Sequence, residues 1–110
     1  MIDHHIKSGA GAASIRGIKP EMCIAHTLIV ALFTRHGIAS RLSSGTDSKH
    51  SRASLHYVGY ALDISFRGVP QKLIDLLHAE LKAVLGDEFD VVKEKTHFHI
   101  EFQPKGPLNE

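Results

Sequence analysis

Histidine and aspartate occur in two short stretches that otherwise have the composition of β-strands. The first stretch, SLHYVGYALDI, contains His56 and Asp63, and the second, THFHIEF, contains His97 and His99. A catalytic zinc ion is usually held by three side chains of His, Asp or Glu, which leave one coordination position for water. His56 and Asp63 could supply two such ligands, and either His97 or His99 the third. The sequence therefore predicts a zinc site where the two stretches meet.

Strand alternation would place these candidate ligands on one side of a β-sheet. Successive side chains of a strand point to opposite faces of the sheet. In YALDISF, Asp63 shares its face with the small residues Ala61 and Ser65, and in THFHIEF the two histidines share a face with Glu101. The large apolar side chains that alternate with them are predicted to enter a core: Tyr60, Leu62, Ile64, Phe66, Phe98, Ile100 and Phe102.

Two segments are predicted to form helices. In KPEMCIAHTLIVALFTRHG, Pro20 suits the first turn of a helix over residues 20–36, and Gly37 suits its C-terminal cap. Apolar residues cover most of its circumference, so we expect this helix to be deeply buried, with Cys23 as a small buried side chain. The segment VPQKLIDLLHAELKAVLG predicts a second helix over residues 70–85. Its apolar stripe consists of Ile74, Leu77, Leu81 and Val84.

The segments IASRLSS and FDVV are typical of short strands and complete the predicted fold. FDVV and the last strand favour a hairpin whose turn lies around Lys93 to Lys95. Together these elements predict an α+β domain in which helices 20–36 and 70–85 pack on one side of a small antiparallel sheet. The zinc site is predicted on the opposite, open face of that sheet.

Length and composition are those of one globular domain with little charge bias. The chain has 110 residues and a net charge of +1, so we expect a single domain over 1–110, with an arm at 1–17 and a tail at 103–110. The small net charge gives no indication of a nucleic-acid partner. The longest apolar run is too short to span a membrane. A single cysteine excludes an intramolecular disulfide and a Cys-rich zinc site.

The first stretch also carries a specific motif. SLHYVGYALDI fits the pattern Ser-x-His-x-x-Gly-x-Ala-x-Asp at every fixed position, and a His-x-His pair follows downstream. With these residues the chain resembles the D-alanyl-D-alanine carboxypeptidase and peptidoglycan endopeptidase family of zinc enzymes, which shares its fold with the Hedgehog signalling domain. The resemblance covers roughly residues 18–103. The residues that carry it are Ser54, His56, Gly59, Ala61, Asp63, His97 and His99.

The resemblance implies zinc ligands at His56, Asp63 and His99. His97 would then stand beside the metal as a catalytic residue, and Glu94 is the best carboxylate for the general base. A competing register has the Glu-x-x-His arrangement of other family members, with His97 as the ligand and Glu94 as the base. We prefer the first register, because family members with a His-x-His pair use the second histidine as the ligand.

The reaction that the resemblance implies is hydrolysis of an amide bond in bacterial cell-wall peptides. Zinc lowers the pKa of bound water toward ~7. Glu94 or His97 would accept a proton from that water and return it to the leaving amine. The expected substrate is thus a peptide of peptidoglycan, cleaved by an enzyme of carboxypeptidase or endopeptidase type.

The sequence departs from the family pattern in the loop before the motif. Many members carry an aromatic residue and a substrate-binding arginine directly after a Ser-Gly turn, whereas this chain has Thr46 and Asp47 there. Arg41, Lys49 and Arg52 are candidate substitutes for that arginine. Ser54 is expected to brace the ligand loop or contact substrate.

The segment MIDHHIKSGAGAAS lacks the pattern of a secretory signal. We therefore expect synthesis in the cytoplasm and access to the cell wall after lysis, after release or as part of a phage particle. The alternative function is a non-catalytic, zinc-stabilised binding or assembly module on the same fold.

Overall fold

The computed structural model of the protein describes residues 4–6, 19–44 and 61–103. These residues form five strands and two helices in one α+β domain. In chain order the elements are β1 (His5–Ile6), α1 (Pro20–Arg35), β2 (Arg41–Ser44), β3 (Ala61–Ser65), α2 (Gln71–Leu85), β4 (Phe89–Lys93) and β5 (His97–Phe102).

The strands form one sheet in the order β1-β2-β3-β5-β4. The four longer strands pair antiparallel with one another, as the sequence predicts. The two-residue strand β1 pairs parallel with β2 and falls inside the segment interpreted as an arm, where no strand is predicted. The last hairpin turns between β4 and β5, where the amide of Glu94 donates to the carbonyl of His97 at 2.9 Å.

Both helices and one face of the sheet share a single hydrophobic core. Phe33 of α1, Leu77 of α2, and Ile64 and Phe98 of the sheet are completely buried within it. The rings of Phe66 and Phe98 meet edge to face, with their centroids 5.0 Å apart. The predicted α+β architecture is therefore confirmed, as is the alternation that sends the large side chains of β3 and β5 into the core. Tyr60, which was also predicted to enter the core, lies outside the described residues.

Helix α1 is not buried on all sides, which corrects the expectation from its apolar circumference. It begins at Pro20 and ends before Gly37, whose φ of +70° suits a glycine. One side packs into the core, but the opposite side leaves Ile24 62% exposed and Cys23 exposed as well. In the described parts of the chain the helix packs on a single sheet and on α2, so only one side of it is covered.

Helix α2 differs from its prediction in one position of the stripe. Leu85 is buried, whereas Val84 is 38% exposed. At 100° per residue, Leu85 lies about 20° from Ile74 around the helix axis and Val84 about 80° away. The continuous 3.6-residue period therefore selects Leu85.

A hydrogen bond of 2.5 Å between His36 Nε2 and Glu80 Oε1 connects α2 to the C-terminal end of α1.

The described part of the chain contains no helix that is long and apolar enough to cross a membrane.

Candidate metal centre

Strand pairing brings the candidate ligands of the two stretches together. In the register of β3 and β5, Asp63 lies directly opposite His99, and Ser65 lies opposite His97. All four residues occupy the face of the sheet that does not contribute to the core. This confirms that Asp63 and the histidine pair share one face. Asp63 is only 8% exposed, which is less than an open face would suggest.

Asp63 and Glu101 hold His99 between them. The distance from His99 Nδ1 to Asp63 Oδ1 is 2.9 Å, and that from His99 Nε2 to Glu101 Oε1 is 2.6 Å. Since both acceptors are carboxylates, both ring nitrogens donate. The hydrogen bond to Asp63, helped by that to Glu101 and opposed by partial burial, raises the pKa of His99 to about 9. In the metal-free protein this imidazole is therefore charged at neutral pH.

His97 lies farther from Asp63 than His99 does. Its Nε2 lies 3.7 Å from Asp63 Oδ1, beyond the length of a hydrogen bond. The hydroxyl of Thr96 lies 3.1 Å from Nδ1 of the same ring. His97 is thus oriented through Nδ1, and its Nε2 faces the carboxylate across a gap.

Glu94 lies at the end of the hairpin nearest to His97. It follows β4 directly, is exposed, and bonds through its backbone amide to the carbonyl of His97. Extending the register of β4 and β5 by one step from Lys93 and Phe98 places Glu94 opposite His97. Residues opposite each other in an antiparallel pair share a face. Glu94 therefore lies on the same face as His97, as a general base at this site would have to.

The described residues place two possible ligand side chains at nearly the spacing that one metal ion requires. Two ligands of one tetrahedral zinc ion lie about 3.3–3.5 Å apart, given metal–ligand distances near 2.1 Å. The separation of 3.7 Å between His97 and Asp63 is close to that value. Within the ranges described here, no group of three or more His, Cys, Asp or Glu residues has an arrangement suited to a metal. His56, the third predicted ligand, lies outside the described residues.

The candidate substrate-binding residues also lie partly within and partly outside the described residues. Arg41 lies on β2 opposite Ser65 and lines a cavity of ≈ 320 Å³ beside the histidine pair. Lys49, Arg52 and Ser54 lie outside the described residues.

Two further residues lie at the candidate site, and the sequence motifs point to neither of them. Glu101 was placed on the ligand face but assigned no function, although it bonds His99. The face it shares with the histidines was the available signal. Arg67, in the turn after β3, lines the cavity with Arg41. Its position depends on how the chain turns after Ser65, and no motif in the sequence indicates it.

No protein-family model matches this chain. No curated protein shows significant similarity to it. The family resemblance therefore rests on the motif residues of the sequence alone.

Proposed function

We propose that the protein is a zinc-dependent peptidase that hydrolyses amide bonds in bacterial cell-wall peptides. The observation that carries this proposal is the group formed by Asp63, His97 and His99. It joins a buried carboxylate to two imidazoles on the face of the sheet opposite the core. A polar group of this kind contributes little to a fold that could have used apolar residues there, whereas it has the side chains that zinc prefers.

The proposed ligands are His56, Asp63 and one histidine of β5. The resemblance favours His99, but the contacts favour His97. Both ring nitrogens of His99 are already bonded to carboxylates, so His99 would have to lose a proton and a hydrogen bond to bind zinc. His97 Nε2 has no such bond among the described contacts and faces Asp63 at nearly the spacing of two zinc ligands.

In this register His99 and Glu94 have complementary roles. His99 donates to Asp63 and holds its carboxylate in place, as groups around a metal commonly orient the ligands. Glu94, opposite His97, is the proposed general base, which accepts a proton from the attacking water and returns it to the leaving amine. Zinc, when bound, supplies a Lewis acid that polarises the reacting groups. In the alternative register His99 is the ligand, and His97 joins Glu94 as a catalytic residue.

The second candidate function is a non-catalytic, zinc-stabilised module. The contacts of His99 favour it to a degree, since a charged imidazole between two carboxylates also stabilises a fold without any reaction. The two functions differ in whether a base lies near the proposed ligands. The position of Glu94 opposite His97 supports the peptidase.

Digestion of purified peptidoglycan tests the proposal. The protein is incubated with peptidoglycan after zinc loading, after chelation, and after chelation followed by zinc, and released fragments are identified by mass. We expect new amine and carboxyl termini in the stem or cross-bridge peptides only when zinc is present. Stoichiometric zinc without any cleaved amide would instead support the non-catalytic module.

A further inference from the structure

The N-terminal strand β1 is attached to the rest of the fold through the side chain of one histidine. His4 directly precedes β1, which pairs with β2 at one edge of the sheet. Its Nδ1 lies 2.8 Å from the backbone nitrogen of Ser40 and 2.9 Å from the hydroxyl of the same residue. Its Nε2 lies 2.7 Å from the hydroxyl of Thr34 near the end of α1. One imidazole therefore connects β1 to the residue before β2 and to a helix.

The partners of His4 determine which ring nitrogen carries the proton. The backbone N–H of Ser40 can only donate, so Nδ1 accepts and has no hydrogen of its own. Nε2 therefore carries the ring proton and donates to the hydroxyl of Thr34. That hydroxyl donates in turn to the carbonyl of Val30 at 2.7 Å. The contact with the Ser40 amide thus requires the neutral form of an imidazole that is itself partly exposed to solvent.

Protonation of His4 would place two donors against each other. A hydrogen on Nδ1 would point at the hydrogen of the Ser40 amide. The serine hydroxyl can rotate to become an acceptor, but the backbone amide cannot. Ser40 is only 1% exposed, so its amide would lose its acceptor without gaining water in exchange. The charged imidazole and the docked position of β1 are therefore incompatible.

The charged groups around His4 do not compensate for this conflict. No carboxylate of the described residues forms an ion pair with it. The titratable group of α1 that acts on it is His26, whose pKa is lowered by burial and, to a smaller degree, by His4. On the side of β2, Ser40 is followed by Arg41, a permanent cation. A positive charge on His4 would thus be added beside groups that are themselves cationic or become so in acid.

We propose that His4 is a pH-sensitive latch, which holds β1 against β2 in its neutral form and releases the strand when protonated. The pairing of β1 has only two residues, and Ile6 is 38% exposed, so neither backbone pairing nor burial holds the strand firmly. Release would uncover the outer edge of β2, whose backbone groups could then pair with another extended chain. The latch does not depend on the proposed peptidase function.

NMR spectra of the metal-free protein at pH ~8 and pH ~5 test the latch, because an exposed imidazole changes its charge between these values. At the higher pH we expect the His4 ring to carry its proton on Nε2, and Overhauser contacts between the backbone protons of β1 and β2. These contacts should be lost at the lower pH. Release takes up one proton, so the ratio of docked to released strand should fall by up to about tenfold per pH unit. Contacts between Leu42 and Ile64, which pair β2 with β3, should persist at both values.

Substitutions separate the latch from other effects of acid. His4→Gln keeps an acceptor and a donor at every pH, so the pairing of β1 should no longer depend on pH. His4→Ala should lack the contacts between β1 and β2 throughout. His36→Gln, which removes another histidine near the end of α1, is the matched control and should retain the pH-dependent release.

Three results would overturn the latch. The first is a wild type whose contacts between β1 and β2 are the same at both pH values. The second is a loss of these contacts in His4→Gln as large as that in the wild type. The third is the simultaneous loss of the contacts between β2 and β3, because the whole sheet, and not the latch, would then respond to acid.

Discussion

The two faces of β3 and β5 are built from neighbouring residues and serve different purposes. On one face Ile64 and Phe98 are completely buried among other apolar side chains. On the other face the carboxylate of Asp63 is hydrogen-bonded to His99 and lies 3.7 Å from the ring of His97. In each strand, one set of alternating side chains thus builds the core, while the other set forms polar contacts. Substitutions on the two faces should therefore change different measurements.

The largest effect is expected for Glu94→Gln, which should reduce turnover without changing the fold. The substitution removes the proposed proton acceptor and keeps the shape of the side chain. General base catalysis contributes about 10²- to 10⁴-fold, so turnover on a cell-wall peptide should fall within that range. Zinc content and thermal stability should remain those of the wild type. Lys95→Gln, in the same turn, is the matched control, and a near-normal rate for Glu94→Gln would assign the base to His97.

On the core face, Phe98→Ala should reduce the free energy of unfolding by about 3–5 kcal/mol. Phe98 is completely buried and contacts the ring of Phe66, so its removal leaves a cavity in the core. Urea denaturation of the two proteins measures the difference. Val92→Ala is the control from the other face, since Val92 is exposed and pairs with His99. A comparable loss in both variants would contradict the division between the faces.

A smaller effect is expected from the pH dependence of the metal-free protein. The pKa of His99 is raised from 6.5 to about 9 in the folded state. Its stabilising contribution is therefore fully present below pH 6.5 and is lost as the pH rises through about 9. Unfolding at a series of pH values in the presence of a chelator should show this decline in the wild type. The same series on His99→Gln should lack it, and a decline of equal size there would assign it to another group.

The smallest effect is expected on the exposed side of α1. Ile24→Ser should change the free energy of unfolding by no more than about 0.5 kcal/mol, because the side chain is already largely in water. Ile29→Ala, in the same helix but completely buried, should cost about 2–5 kcal/mol. Denaturant unfolding of the two variants compares them directly. A large loss for Ile24→Ser would mean that this side of the helix is covered in solution.

The helices, the four longer strands and the core face could be predicted from the sequence because each depends on a local period. The 3.6-residue period of α2, continued to the last turn of the helix, also selects Leu85. The exposure of Ile24 depends on how many layers cover α1, which no local pattern reports. Strand β1 has only two residues and depends on its partner β2 for its hydrogen bonds. Local preference alone does not predict a strand of that length.

The shared face of Asp63 and the histidine pair could be predicted from the sequence, but their contacts could not. The alternation of β3 and β5 is sufficient to place Asp63 and the histidine pair together. Which histidine approaches Asp63 as a hydrogen-bond donor and which faces it across a gap depends on side-chain rotation. The contribution of Arg67 depends on the turn after β3. Such features arise from three-dimensional packing and leave no periodic signal in the sequence.

Zinc content tests the central claim most directly. The wild type and the variants Asp63→Ala, His97→Ala and His99→Ala are loaded with zinc and dialysed, and bound metal is measured per chain. We predict one zinc ion per chain for the wild type, none for Asp63→Ala, loss in His97→Ala and retention in His99→Ala. Loss in His99→Ala with retention in His97→Ala would restore the register that the sequence favoured. A wild type that retains no zinc, or an Asp63→Ala variant that retains all of it, would contradict the zinc site itself.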